Sequence, residues 1–182
     1  STKILGWTST MMTIIFFSGI ILLTLGVVGE SGCGKTTLIR LIAGLENQQS
    51  GIIEGIKDKK ISYCFQEDRL LPFKTVLENI TLMGANEEKA KTLLNELGLG
   101  DEIDSKPDSL SGGMKKRVAL ARALAQEFDI LLLDEPFTAL DEENIHTAIK
   151  VVDKYSRGKT VILVTHSQSD ANELNCKIVN FN

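Results

Sequence analysis

Four short runs of apolar residues are spaced along the chain, at 20–28, 61–65, 130–133 and 160–165. Stretches with the apolar spacing of helices lie between them and beside them, at 35–45, 75–97, 112–126 and 142–156. The apolar runs are continuous and do not alternate with polar positions, which is typical of strands buried on both faces of a parallel sheet. This order predicts an α/β fold with a mainly parallel sheet.

A polar residue or a glycine follows each apolar run directly: Gly29, Gln66, Asp134 and His166. In an open parallel sheet the carboxyl ends of the strands meet at one edge, and ligands bind at that edge. We therefore expect these four positions to contribute to one site.

The N-terminal stretch between Lys3 and Gly29 contains no charged residue. The dipeptide Ser18-Gly19 divides it into two runs rich in β-branched or aromatic residues, 13–17 and 20–25. This pattern predicts two strands joined by a turn, and with them an N-terminal antiparallel β-region at about 1–25. A membrane-spanning helix or a secretory signal is the alternative, but the loop that begins at Gly29 needs a rigid strand directly before it.

The composition excludes several classes of protein. Of 182 residues, 43% are hydrophobic and 24% are charged, which is typical of a soluble globular domain and predicts one domain over 1–182. The net charge of -4 supplies no field for attracting nucleic acid, so nucleic acid is not expected as a partner. Cys33, Cys64 and Cys176 lack the spacing of metal ligands, and their odd number gives no disulfide framework.

A glycine-rich segment at 29–36 satisfies the pattern G-x-x-x-x-G-K-[ST] between a predicted strand and a predicted helix. This is the phosphate-binding pattern of P-loop NTPases, so it predicts that fold. The backbone amides of such a loop surround phosphate oxygens, and the helix that follows adds the positive end of its dipole. Lys35 would pair with the terminal phosphates, and the Thr36 hydroxyl would bind Mg²⁺. The predicted nucleotide-binding residues here are Gly29, Ser31, Gly32, Cys33, Gly34, Lys35, Thr36 and Thr37.

Two carboxylates, Asp134 and Glu135, follow the apolar run at 130–133. Asp134 is predicted to hold hydrated Mg²⁺, and Glu135 is predicted to orient and polarise an attacking water. Phosphoryl transfer to water needs positioning and charge neutralisation more than covalent chemistry. Lys35, the metal ion and Glu135 would supply both.

The segment Leu110-Ser-Gly-Gly-Met114 resembles the signature sequence of ATP-binding cassette (ABC) ATPases and stands between the glycine-rich segment and the acidic strand, as it does in that family. Ser111 is placed to cap a helix, and the amides of Gly112 and Gly113 would present a second anion site. Met114 departs from the family pattern, which usually has Gln there.

Other family elements follow in the expected order, so the resemblance covers residues 26–170. It implies that Gln66 contacts Mg²⁺ and the attacking water, and that His166 contacts the γ-phosphate. It also implies that Ser111 and Gly113 serve the ATP of a partner subunit and that Asp141 lies at the seam between subunits. The implied catalytic residues are Glu135, His166, Gln66 and Lys35, and the implied metal ligands are Thr36, Gln66 and Asp134.

The family works as a head-to-tail dimer that closes over two ATP molecules. Because the chain has one copy of each motif, the resemblance implies a homodimer or a heterodimer with a second ABC ATPase. The 44 residues between Gln66 and Ser111 suit a small inserted helical subdomain, at about 67–118, but not the long coiled-coil insert of DNA-repair relatives. A transport function is therefore favoured.

The amino-acid sequences of the motifs are similar to those of importer ATPases for nitrate, sulfonate and taurine. This similarity implies an ATPase that is cytoplasmic and peripheral on the inner face of the cell membrane, bound to integral permease subunits and served by a substrate-binding protein in some systems. Leu70, Leu71 and Phe73 would contact the permease. A non-transport ABC ATPase and a nucleotide-binding degenerate copy with weak hydrolysis are the alternatives.

The first 25 residues depart most from the family. Members usually carry a longer, more charged antiparallel β-region with an aromatic residue that stacks on adenine. Trp7 lies 22 residues before Gly29 and is predicted to take that role, although its neighbours do not resemble the usual loop.

Overall fold

The computed structural model describes residues 13–14, 24–28, 34–47 and 52–180. Its strands are β1 (Thr13–Ile14), β2 (Thr24–Val28), β3 (Ile52–Ile53), β4 (Ile61–Cys64), β5 (Ile130–Asp134), β6 (Thr160–Thr165) and β7 (Lys177–Asn180). Its α-helices are α1 (Lys35–Ile42), α2 (Val76–Thr81), α3 (Glu87–Glu96), α4 (Gly112–Ala125), α5 (Glu142–Tyr155) and α6 (Gln168–Glu173). Short 3-10 helices cover Gly100–Glu102 and Pro107–Ser109.

Five strands form one sheet in the order β4-β5-β6-β2-β7, and every neighbouring pair is parallel. Cys64 lies opposite Leu133, and Val28 lies opposite Thr165, so the strands end at nearly the same level. The prediction of a mainly parallel α/β sheet is confirmed.

Both faces of the sheet are covered, which explains why the apolar runs do not alternate with polar residues. Successive residues of a strand point to opposite faces. On one face, Leu132 and Ile162 pack with Ile39 and Ile42 of α1. On the other face, Leu133 and its strand neighbours pack with the cluster formed by α2 to α5.

The helix-like stretch predicted at 75–97 is divided between α2 and α3. Thr75 caps α2, and its capping box with Glu78 satisfies donors at the start of the helix. Gly84 then takes a φ of 84°, a left-handed conformation that ends helical geometry. The Asn86 side chain accepts a hydrogen bond from the Lys89 amide and starts α3.

The N-terminal prediction needs a correction. The strand β1 pairs with β3, and this pairing is parallel rather than antiparallel. Both edges of β2 are occupied, by β6 and β7, so Thr24–Val28 offers no edge to a preceding antiparallel strand. That segment is a strand of the sheet, which contradicts a membrane-spanning helix there. Among the described residues, no helix has the length and apolar character needed to span a membrane.

Candidate active site

The carboxyl edge of the sheet surrounds a cavity of about 240 Å³. The structure brings together there most of the predicted residues that it describes. They are Gly34, Lys35, Thr36, Thr37, Gln66, Asp134, Glu135 and His166, with Val164 between them. The predicted residues Gly29, Ser31, Gly32, Cys33 and Trp7 lie outside the described residues.

Gly34 and the start of α1 form one wall of this cavity. Gly34 has a φ of 80°, a conformation that a residue with a Cβ adopts only with strain. No side chain caps α1 at this end, and the N-terminus of a helix favours negative charge. Lys35, only 5% exposed, adds a cation beside the same cavity. The wall is therefore suited to an anion such as a phosphate group.

His166 connects Lys35 with Glu135. The Lys35 ammonium Nζ lies 3.2 Å from His166 Nδ1, and an ammonium group only donates hydrogen bonds. Nδ1 is therefore the acceptor, so a neutral imidazole carries its proton on Nε2. That nitrogen lies 3.2 Å from Glu135 Oε1. The contact with Lys35 therefore sets the tautomer of a neutral His166, and the ring places Nε2 beside the Glu135 carboxylate.

Glu135 is held in an unusual backbone conformation at the end of β5. Its φ of 47° is left-handed, although it is not a glycine, and its amide donates to the Val164 carbonyl at 2.9 Å. Strain of this kind persists at functional sites because the surroundings impose it. Burial raises the pKa of the Glu135 carboxyl above its ordinary value, while His166 and Lys35 act in the opposite direction. A carboxylate with a raised pKa is a stronger base, which suits it to act on a water molecule.

Asp134 is 1% exposed, and each of its oxygens accepts a hydrogen bond. Thr36 Oγ1 donates to Oδ1 at 3.4 Å, and Tyr63 Oη donates to Oδ2 at 3.2 Å. Burial raises the pKa of Asp134, and the two hydrogen bonds act against that rise. Tyr63 is a site residue that sequence reasoning missed. Its place opposite β5 depends on the register of two strands that lie far apart in the chain.

The donor set around Asp134 fits Mg²⁺. The hydroxyl of Thr36, the carboxylate of Asp134 and the amide oxygen of Gln66 are hard oxygen ligands, which this ion prefers. Among the described residues, no group of three or more His, Cys, Asp and Glu side chains is placed to hold a metal ion. Mg²⁺ usually takes one or two carboxylates and completes its coordination with water and substrate phosphates.

Three predicted residues, Ser111 and Gly113 of the signature segment and Asp141, lie outside the cavity. Ser111 caps α4 by accepting a hydrogen bond from the Met114 amide at 3.2 Å. Gly113 packs against the backbone of Ala139. Asp141 caps α5 by accepting a hydrogen bond from the Asn144 amide at 2.9 Å, and this bond lowers the pKa of its carboxyl. Within one chain, these residues do not contribute to the site around Lys35.

The loop that follows Gln66 is fixed to α4 by two cations. Lys116, 5% exposed, donates to the Gln66 carbonyl and pairs with the Asp68 carboxylate at 3.2 Å. Arg122 donates to the Asp68 and Arg69 carbonyls at 2.7 and 2.9 Å. The backbone of this loop is therefore bound to the helix that begins at the signature segment.

A groove of about 500 Å³ lies beside this loop, with Phe65, Leu71, Leu82 and Met83 among its lining residues. The three residues predicted to contact a permease have different surroundings. Leu70 packs against the core, Leu71 lines the groove, and Phe73 is 67% exposed.

The sequence from the start of β2 to just beyond β5 matches a known family. A family model described as ABC transporter matches residues 23–138. The chain belongs to the ABC transporter family. In this ABC protein the matched range contains the glycine-rich segment, the signature segment and both acids of the cavity.

Curated relatives of this ABC protein are named as import proteins. The aliphatic sulfonates import ATP-binding protein SsuB 1 of Burkholderia lata is 44% identical over 165 residues, which cover 84% of this chain and 50% of that protein. The protein SsuB of Zymomonas mobilis subsp. mobilis is 45% identical over 155 residues, which cover 80% and 65%. The chain spans about half the length of the first curated relatives it matches. The resemblance to sulfonate importer ATPases is confirmed.

A solved structure shows the same architecture. The ATP-binding cassette MJ0796, a dimer in a post-hydrolysis state bound to ADP and Pi, is 30% identical with a TM-score of 0.79. The similarity covers 90% of this chain and 83% of that chain. The predicted P-loop NTPase fold of ABC ATPases is therefore confirmed.

Proposed function

We propose that this ABC protein is the ATP-binding and ATP-hydrolysing subunit of a membrane importer. The observation that carries the proposal is the arrangement of Lys35, His166 and Glu135 beside Asp134 and Thr36, around one cavity. A cation, a carboxylate of raised pKa and a pair of oxygen ligands are the groups that phosphoryl transfer to water requires.

Each residue of the cavity has one part in this reaction. Lys35 and the amides of the glycine-rich segment, with Thr37, bind the phosphates of ATP. Thr36, Asp134 and Gln66 hold Mg²⁺, which neutralises phosphate charge when bound. Glu135 orients and polarises the attacking water, and His166, whose Nε2 lies 3.2 Å from Glu135 Oε1, contacts the γ-phosphate.

The active form of the protein is a dimer with a second ABC ATPase, either another copy or a related chain. Ser111, Gly113 and Asp141 lie outside the cavity of their own chain. A head-to-tail arrangement brings these residues to the ATP held by the partner. The dimeric form of the similar cassette MJ0796 supports this arrangement.

The dimer works on integral permease subunits at the inner face of the cell membrane, on the cytoplasmic side. The import names of the relatives support this role, and a substrate-binding protein would deliver the cargo. The groove lined by Phe65, Leu71, Leu82 and Met83, together with the exposed ring of Phe73, is the surface for the permease. Large exposed apolar groups of this kind mark interaction sites.

We also infer that residues 1–182 form a single ABC ATPase domain. In this domain, about 67–118 is the inserted helical subdomain, and about 1–25 is a divergent β-region. Trp7 in that region stacks on the adenine of ATP. This aromatic contact is expected to change ATP affinity without changing the chemistry at Glu135.

Steady-state ATP hydrolysis with Mg²⁺ tests the proposal, measured at several protein concentrations. We expect a rate that rises faster than linearly with concentration, because two chains complete each site. Lys35→Ala, Glu135→Gln and His166→Ala should each lower the rate at least about 100-fold. His146→Ala is the matched control, since His146 pairs with Glu173 on the surface. Hydrolysis that persists in Lys35→Ala and Glu135→Gln would contradict the proposal.

A further inference from the structure

Tyr63 and Asp134 share one face of the central sheet. Tyr63 lies opposite Leu132 in the parallel register of β4 and β5. Asp134 is two residues beyond Leu132, and residues two apart in a strand point to the same face. The long tyrosine side chain thus crosses from β4 to the end of β5, where its hydroxyl reaches the carboxylate.

The hydroxyl of Tyr63 gives the two oxygens of the Asp134 carboxylate different partners. Tyr63 Oη donates a hydrogen bond to Oδ2 at 3.2 Å, and Thr36 Oγ1 donates one to Oδ1 at 3.4 Å. A phenol donates one hydrogen bond, and an ionised carboxylate only accepts. Because Oδ2 is hydrogen-bonded to a residue of β4, rotation of the carboxyl group is restricted. Oδ1 is then the oxygen directed to Thr36.

The ring of Tyr63 is itself held by a stack. It lies against Phe65 with ring centroids 4.0 Å apart and an angle of 20° between the planes. The Arg69 guanidinium carbon lies 4.2 Å from the centre of the Phe65 ring. Two groups cannot share one ring face at these distances, so Arg69 covers the face of Phe65 opposite Tyr63. The stack extends from the loop after Gln66 to the carboxylate.

We propose that Tyr63 is a positioning residue that orients Asp134 for Mg²⁺. The inference rests on the proposed function, in which Asp134 and Thr36 hold the ion. Mg²⁺ requires near-ideal octahedral geometry, so a ligand free to rotate binds it less well. Residues that hydrogen-bond a ligating carboxylate affect metal affinity without touching the metal.

Binding of ATP to the full chain, measured by calorimetry with Mg²⁺ and again with EDTA, separates a positioning role from a structural one. Tyr63→Phe keeps the ring on Phe65 and removes only the hydroxyl. We expect this variant to bind ATP about 3- to 10-fold more weakly with Mg²⁺ and with parental affinity in EDTA. The Mg²⁺ concentration that half-saturates hydrolysis should rise by a similar factor, with kcat largely restored at high Mg²⁺.

The chain offers a matched control in its other tyrosine. Tyr155 Oη also donates to a carboxylate, Glu96, at 3.3 Å, but it lies on α5 outside the cavity. Tyr155→Phe should leave both ATP affinities and the Mg²⁺ requirement unchanged.

Three outcomes would overturn the inference, and one of them would also contradict the proposed function. Equal loss of ATP affinity with Mg²⁺ and with EDTA would make Tyr63 a structural residue. Parental affinity of Tyr63→Phe under both conditions, while Mg²⁺ strengthens binding to the parent, would remove the positioning role alone. No effect of Mg²⁺ on ATP binding by the parent would contradict the proposed metal site itself.

Discussion

Gly113 lies so close to the carbonyl oxygen of Ala139 that a Cβ at Gly113 would stand 2.8 Å from that oxygen. The obstacle is backbone, so the loop itself would have to shift. Ala139 already has a φ of 66°, a strained conformation for a residue with a side chain. We expect Gly113→Ala to lower the free energy of unfolding by about 1–3 kcal/mol, measured by urea denaturation.

Gly112 supplies the control for this substitution. It precedes Gly113 in the first turn of α4, and a Cβ there would meet nothing within 4 Å. Gly112→Ala should therefore show only the gain of helix propensity, up to about 1 kcal/mol. If the two variants were equally stable, the contact between Gly113 and Ala139 would have no energetic consequence.

The partly buried carboxyl of Glu135 makes stability depend on pH. Its folded-state pKa is raised above the ordinary value, so the folded chain holds this proton more tightly than the unfolded chain does. The stability that the proton contributes is fully present below the unfolded pKa and is lost as pH rises through the raised pKa. We expect Glu135→Gln to stabilise the nucleotide-free chain near pH 7, by roughly 0.5–2 kcal/mol.

Thermal unfolding across pH checks the sign of this effect. The gain in Tm of Glu135→Gln over the parent should shrink as pH falls and should vanish near about pH 4. Glu54→Gln changes an exposed carboxyl and should show no such trend. A gain for Glu135→Gln that was constant with pH, or that grew at low pH, would show that burial of the charge is not its cause.

The sequence predicts four of the five strands of the central sheet, because burial on both faces leaves a continuous apolar run. It also predicts Lys35, Asp134, Glu135 and His166 as neighbours, because each follows or begins an element at the same edge of a parallel sheet. These inferences need only local patterns and one general rule of sheet architecture.

Elements with few apolar residues are harder to predict. The helix α6 has six residues, of which only Asp170 and Ala171 are buried, so it carries too little periodicity to detect. The strand β7 has four residues and forms by pairing with β2, which lies at the other end of the chain. In the stretch at 75–97, Gly84 and Asn86 are local sequence signals for the break between α2 and α3.

Tyr63 illustrates a different limit. Within β4, its ring packs on an apolar cluster, and the sequence pattern predicts only an ordinary strand residue at this position. Its contact with Asp134 depends on the register of β4 against β5. A single sequence carries no direct signal for register between strands separated by three helices.

Ser111 has a structural role that can be separated from its proposed role toward a partner's ATP. Its hydroxyl accepts from the Met114 amide and caps α4. Ser111→Ala should lower the free energy of unfolding by about 1 kcal/mol, whereas Ser111→Asp retains a cap and should leave it nearly unchanged. Aspartate, however, places a negative charge where the partner's γ-phosphate would lie. We therefore expect Ser111→Asp to abolish ATP-dependent dimerisation while keeping a normal Tm.

Size-exclusion chromatography with light scattering, with Mg²⁺ and ATP, measures that dimerisation. Glu135→Gln is the background for all variants, because slow hydrolysis preserves the closed dimer. Ser109→Asp is the matched control, because it adds the same charge at an exposed serine just before the signature segment. This control should dimerise like the background. If Ser111→Asp also dimerised fully, the signature segment would not face the partner's ATP, since an uncompensated carboxylate against phosphate oxygens is strongly unfavourable.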